Sequence, residues 1–186
     1  GVQFRWENPG YRDFADFLAT FNHDKRKKVK QERRRVAAAG IAFTRKVGTE
    51  ITAADWAFFY RCYENTYRDH HSTPYLNLAF FERIGATMPE NVMLALGRRG
   101  DAAICAALDI FDRETLWGRY WGTTEHLSGL HFEACYYQAI DFCIERKIAH
   151  FEGGAQGVHK LARGLVPVPT WSAHAIADAD FGRAIE

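Results

Sequence analysis

Three apolar runs, Val92 to Leu96, Ala103 to Phe111 and Leu116 to Trp121, are separated only by Arg98-Arg99-Gly100-Asp101 and Asp112-Arg113-Glu114. This spacing constrains the fold more than any other feature of the chain. Tight polar connections join antiparallel strands, whereas parallel neighbours need a crossover of about a dozen residues or more. The stretch therefore predicts a three-strand antiparallel meander. Before it, Ile41 to Val47 alternates as a strand. Thr52-Ala53-Ala54-Asp55 then opens a helix that runs through Trp56, Phe59, Tyr60 and Tyr63 to about Arg68. Pro74 ends that region, and Leu78 to Gly85 makes a second short helix. After the meander, His131 to Lys147 reads as a helix with Phe132, Tyr136, Ala139 and Cys143 on one face. A strand from Ile148 to Glu152, a glycine-rich turn, a helix and a last strand follow. The expected class is α/β, of mixed α+β character: a central mixed sheet with an antiparallel meander, flanked by helices. At 186 residues, 47% of them hydrophobic, the chain can bury a substantial single core.

The formal charge of +1 hides a strong asymmetry. Lys25 to Arg35 holds eight Lys or Arg and one Glu, a net +7, which leaves −6 for the rest of the chain. Val29 and Val36 lie at helical separation in this segment, and Gly40 stops it, so it predicts a surface helix with a narrow apolar stripe. Lys25, Lys27, Lys28, Arg33 and Arg34 are its candidates for tracking RNA phosphates. A solvated face, or one docked on an acidic neighbour, is the alternative. Cys62, Cys105, Cys135 and Cys143 form no Cys-x-x-Cys pair and sit in apolar surroundings, which predicts reduced core thiols in a cytoplasmic setting. The eight histidines form no zinc-helix motif, so no structural metal is expected. No run approaches the roughly 20 apolar residues of a membrane span, and the first residues lack a secretory pattern.

Between Ile148 and Ser172 the chain combines a short apolar strand, a glycine-rich turn and a basic stretch. Gly153, Gly154 and Gly157 allow backbone N–H groups close to a ligand, and a helix start carrying His159, Lys160 and Arg163 attracts anions. Gln156, His159, Lys160 and Arg163 are three or four residues apart, so on a helix several would face one ligand. These seven residues are the expected binding set. A turn with solvated cations fits the pattern as well. For proton transfer the candidates are Glu152 at the strand end and His131 and Glu133 at the helix start, while His159 beyond the glycine turn, an imidazole also suited to that role, is assigned to binding. Each has a plain structural alternative: Glu152 pairing with Arg163, His131 opening its helix, Glu133 favouring the helix N-terminus.

The run Phe151-Glu152-Gly153-Gly154-Ala155-Gln156-Gly157 through His159-Lys160-Leu161-Ala162-Arg163-Gly164, with Pro167, Thr170, Ser172 and His174 beyond it, resembles the C-terminal signature of FemAB-like, GNAT-related N-acyltransferases. Gln3-Phe4-Arg5-Trp6 with Asn8, Gly10 and Tyr11, the basic segment, and His131-Phe132-Glu133 with Tyr136-Tyr137-Gln138 are similar to other parts of that family. Val158 stands where relatives are expected to carry an acid. The resemblance implies a GNAT-like fold, with residues 1–40 a connecting segment and basic helix and 41–186 the acyltransferase domain. It also implies that the chain is the second half of a longer protein whose first half is a similar domain. The order of elements agrees with GNAT. The implied activity is transfer of an acyl or aminoacyl group to an amino acceptor such as a peptidoglycan precursor. Acyl-CoA or aminoacyl-tRNA would be the co-substrate, with no tightly bound cofactor. The interval Gly122 to Leu130 departs from the usual acetyltransferase pyrophosphate loop, so the larger donor, and with it tRNA as a partner, is at least as well supported. A non-catalytic GNAT-fold domain that binds RNA or a cell-wall glycan or peptide is the second reading. Trp117, Tyr120 and Trp121 are candidates to line a pocket.

Overall fold

The computed structural model describes every residue except Gln156, Ala175, Asp178, Ala179, Gly182 and residues 184–186. Its strands are β1 (Val2–Glu7), β2 (Ile41–Val47), β3 (Val92–Arg99), β4 (Ala102–Phe111), β5 (Thr115–Thr123), β6 (His150–Glu152) and β7 (Val166–Pro169). The helices are α1 (Phe14–Ala19), α2 (His23–Ala38), α3 (Ala53–Asp69), α4 (Leu78–Thr87), α5 (Leu130–Phe132) and α6 (Gln138–Arg146). The strands form one sheet in the order β2-β3-β4-β5-β6-β1-β7, antiparallel throughout except for the β5–β6 pair. The meander β3–β5 is as its spacing predicts.

Local chemistry starts the helices where expected. Thr52 and Asp55 form a reciprocal cap on α3, and the Asn22 and Asn77 side chains accept from Lys25 and Phe80 backbone N–H groups at the starts of α2 and α4. The sheet separates two cores. On one face Trp6, Met93, Ala107, Leu116 and Phe151 pack under α1, α2 and the α5–α6 segment. On the other Leu94, Leu96, Ala106 and Leu108 pack under Trp56, Phe59 and Tyr63 of α3 and Phe81 of α4. Alternation along each strand produces both faces, because neighbouring side chains point to opposite sides. Gly122 lets α3 approach β5: a Cβ there would lie 2.0 Å from the Cys62 carbonyl oxygen.

Four expectations change. Residues 1–40 are not a connecting segment outside the sheet, since β1 is hydrogen-bonded between β6 and β7 and Trp6 is buried. The helix from His131 is interrupted: Glu133–Tyr137 form a π-helical turn between α5 and α6. The helix expected after the glycine-rich turn is only a six-residue 3₁₀ segment, Val158–Arg163, ended by Gly164 at φ 85°. Gly157 and Gly164, both at positive φ, bound the segment and confine it to these six residues. The strand expected from Ile148 is confined to His150–Glu152.

Candidate functional site

The parallel pairing of β5 with β6 lasts for three residues, Thr115↔His150, Leu116↔Phe151 and Trp117↔Glu152. Beyond Trp117, β5 continues to Thr123 while β6 has ended. The sheet splays there. Further along, Thr66 and Asn65 of α3 donate to the carbonyls of Trp121 and Thr123 at 2.8 and 3.1 Å. This leaves Gly118–Tyr120 as the stretch without a strand beside it on the β6 side. The same stretch carries a β-bulge: Leu108 pairs with Tyr120 and Asp109 with Gly118, so Arg119 is the extra residue.

A cavity of about 120 Å³ opens at this splay, bounded by Asp109, Gly118, Trp121, His131, Cys135 and Gly153 among others. Asp109 dominates its chemistry. It is 1% exposed, its Oδ2 has no hydrogen-bond partner, and burial raises its carboxyl well above the usual range. A buried carboxyl without a partner is costly and characteristic of functional sites. The π-helical turn brings Cys135 and Tyr136 to the same cavity. Such turns recur at functional sites because the extra residue re-aims the side chains. His131 packs on Trp121 with ring centroids 4.6 Å apart, and burial, followed by the charges of His159, Arg163 and Lys160, lowers its pKa to about 4. It is therefore neutral at physiological pH. Tyr136 Oη and His159 Nε2 are 3.1 Å apart, which links the 3₁₀ segment to the cavity wall.

The structure brings only part of the expected site together. His131 and Gly153 line the cavity, and His159 reaches it through Tyr136. Glu152 does not: Phe151 belongs to the first core, so Glu152 points to the opposite face, where Arg5 Nε donates to it at 2.7 Å. Its partner is thus Arg5, not Arg163. Glu133 is buried and bound by Arg33, at 3.1 and 3.2 Å, and by Gln138 Nε2 at 2.8 Å, so it is engaged away from the cavity. The cations are internal too. Arg163 is 2% exposed, donates to Glu32 at 2.6 Å and to the His159 carbonyl at 2.7 Å, and lies over the Phe132 ring. Lys160 is buried and donates to the Gly154 carbonyl at 3.1 Å, and burial lowers its pKa. The glycine turn thus folds over its own lysine instead of presenting it. Gly154 and Gly157 adopt positive φ, Val158 projects into solvent, and Gln156 lies outside the described residues.

On α2, Lys25, Lys27, Lys28 and Arg34 are exposed, as an electrostatic surface requires. Arg33 is not part of that surface: it turns inward to Glu133 and Asp141 and packs on Phe14. Among the described residues no cluster of His, Cys, Asp and Glu could hold a metal, and no helix is long and apolar enough to cross a membrane.

Asp109 was not singled out by sequence. Its signal was an acid inside the otherwise apolar run Ala102 to Phe111, a position where a strand buried on both faces offers a carboxylate no water.

Known proteins share this fold. A FemAB-like family model, described as peptidoglycan biosynthesis/recognition, matches residues 1–186. No curated protein sequence matches the chain. Among solved structures, FemX is similar with a TM-score of 0.67 at 11% identity, over 89% of this chain and 59% of that one. The C-terminal domain assigned to a lysylphosphatidylglycerol synthetase of Agrobacterium fabrum gives 0.58 at 13% identity, over 83% and 46%. L-PGS of Bacillus licheniformis gives 0.54 at 9% identity, over 82% and 45%. The chain thus spans about half the length of these structures, and at such identities the likeness is one of fold.

Proposed function

The chain belongs to the FemAB-like family of peptidoglycan biosynthesis or recognition, and we propose that the cavity at the end of β6 transfers an acyl or aminoacyl group to an amino group of a peptidoglycan precursor. The observation that carries this reading is the buried, unpartnered carboxyl of Asp109 facing the open edge of β5. An amino acceptor enters as an ammonium and gives Asp109 Oδ2 the hydrogen-bond partner that it lacks. Burial raises the pKa of Asp109, which makes the carboxylate a stronger base than that of an exposed aspartate. Once the proton passes from ammonium to carboxylate, the free amine attacks the donor carbonyl. The C–N bond forms, the bond to the donor's leaving oxygen or sulfur breaks, the nitrogen's second proton passes to that leaving atom, and Asp109 releases the first proton to solvent.

On this reading the carbonyl is polarised by backbone N–H groups along the bulged stretch Gly118–Tyr120, a contribution typically worth about 2.7–4 kcal/mol per donor. His131, neutral and stacked on Trp121, serves as a hydrogen-bond partner within the cavity. The exposed Lys25, Lys27, Lys28 and Arg34 support aminoacyl-tRNA as the donor in preference to acyl-CoA. The similarity to the domain assigned to a lysylphosphatidylglycerol synthetase adds support for an aminoacyl donor. The ion pairs that occupy Glu133 and Glu152 favour a second reading, in which the fold binds a cell-wall peptide without chemistry.

Single-turnover transfer of a labelled aminoacyl group from tRNA, or of an acyl group from its CoA thioester, to a muramyl-peptide amine separates the two readings. Asp109→Asn is expected to lower the rate by about 10²–10⁴ while the fold persists. Undiminished transfer by that variant removes Asp109 from the mechanism. Binding of the muramyl peptide with no transfer by the unaltered chain establishes the second reading.

A further inference from the structure

On the opposite face of the sheet from Asp109 lies a larger cavity, about 460 Å³, between α4 and strands β4 and β5. Ile84 of α4 and Met88 just beyond its end face Ile110 and Trp117 of the sheet across it, and Phe80, an exposed aromatic, stands at its margin. Its chemistry is one-sided. The Tyr120 hydroxyl is already bonded to Tyr75 at 2.6 Å. No carboxylate lines the cavity, and Glu152, across the ladder from Trp117, is held by Arg5. The charged group on the wall is Arg119, which is exposed and makes no hydrogen bond or ion pair among the described residues. A sugar needs several polar partners and finds few here, and a cationic ligand meets Arg119. A hydrocarbon chain ending in an anion fits both the wall and the charge.

We propose that this cavity binds the hydrocarbon chain of an anionic amphiphile, a carboxylate or phosphate, with Arg119 holding the head group. Arg119 is the bulged residue of β5, and its strand neighbour Gly118 pairs with Asp109. Leu108, Arg119 and Tyr120 border both cavities. An amphiphile seated here therefore has its head at the same bulge that the transfer site uses. Its role as the apolar portion of donor or acceptor rests on the function proposed above, but its binding does not.

The test is a titration with dodecanoate and with dodecyl phosphate, both below their micelle concentrations. It follows the methyl NMR signals of Ile84, Ile110 and Met88, with dodecanol and dodecyltrimethylammonium as controls. Saturable shifts at these methyls are expected with the anionic probes. Arg119→Gln, an exposed substitution that spares the core, should weaken both by about tenfold or more, as removal of a charged hydrogen bond does. Ile84→Trp should remove binding by filling the space, with its fold checked by thermal melting. Preference for dodecanoate identifies an acyl source, and preference for dodecyl phosphate a lipid-phosphate source. Equal binding of the neutral or cationic probe, or affinity unchanged in Arg119→Gln, overturns the proposal, as does an absence of shifts with either anion. Asp109→Asn should bind the probes normally. Probe binding without any transfer activity refutes the function proposed above and leaves this site standing.

Discussion

Glu32 provides the sharpest test of whether the basic stretch after the glycine turn is a ligand site or a structural strut. Its carboxylate holds Arg163 at 2.6 Å and also accepts a hydrogen bond from the buried Tyr137 hydroxyl. Arg163 is 2% exposed, its Nε already lacks a partner, and its other contacts are the His159 carbonyl and the face of Phe132. In Glu32→Ala the guanidinium keeps its charge, loses its counter-ion and cannot reach water. Breaking a buried pair from one side costs about 3–5 kcal/mol, and the orphaned Tyr137 hydroxyl adds about 1 kcal/mol. For a domain of this size each kcal/mol moves Tm by about 2–4 °C, so the expected fall is roughly 8–24 °C. Thermal melting and urea unfolding measure it. Arg163→Met in the Glu32→Ala background should recover much of the stability, because the uncompensated charge is gone, and the double-mutant cycle reports the coupling. The opposite result is as informative. If Glu32→Ala shifts stability by less than about 1 kcal/mol while phosphate binding strengthens, Arg163 is an available anion receptor and the strut argument is wrong.

Further outcomes follow from other parts of the molecule. Asp109 has a folded pKa above its unfolded value, so the folded state holds its proton longer and stability should decline as pH rises from about 4 toward the folded pKa. Asp109→Asn should abolish that decline and melt higher than the parent at neutral pH, and equal pH profiles of the two proteins would contradict the assigned burial. Gly122→Ala should destabilise by roughly 1–3 kcal/mol or more, because the new methyl meets the Cys62 carbonyl at 2.0 Å and α3 must lift, as reduced urea resistance would show. Replacing Lys25, Lys27, Lys28 and Arg34 with Gln should flatten the salt dependence of tRNA binding by about 0.7–0.9 in log-log slope for each phosphate that is no longer neutralised. Arg33→Gln should instead lower stability without altering that slope, since it pairs with Glu133 and Asp141, and binding by the parent that is insensitive to salt would assign α2 to another purpose.

Local sequence by itself determined the elements whose signal lies within a few residues. The meander of β3 to β5 followed from alternating apolar runs and tight polar turns, α3 from Thr52 and Asp55 at capping distance, and α2 from Val29 and Val36 on one side of a charged segment. The signature residues between Phe151 and His174 led to the FemAB-like family, which the match over residues 1–186 bears out. Tertiary structure alone decided which of the marked residues are free to act. Charge and spacing are the same for a lysine facing solvent and one facing a carbonyl, so Lys160 and Arg163 read as ligands until Gly154 and Glu32 appear beside them. Arg33 and Glu133 are 100 residues apart and Arg5 and Glu152 are 147 apart, separations at which no periodicity carries information. The position of β1 between β6 and β7 is likewise a long-range pairing, written in neither strand alone. Asp109 is the inverse case. Its local context is that of an ordinary core strand, and only the ending of β6 beside a bulge gives its carboxyl a cavity with no hydrogen-bond partner for Oδ2, because burial and partnership belong to the assembled fold.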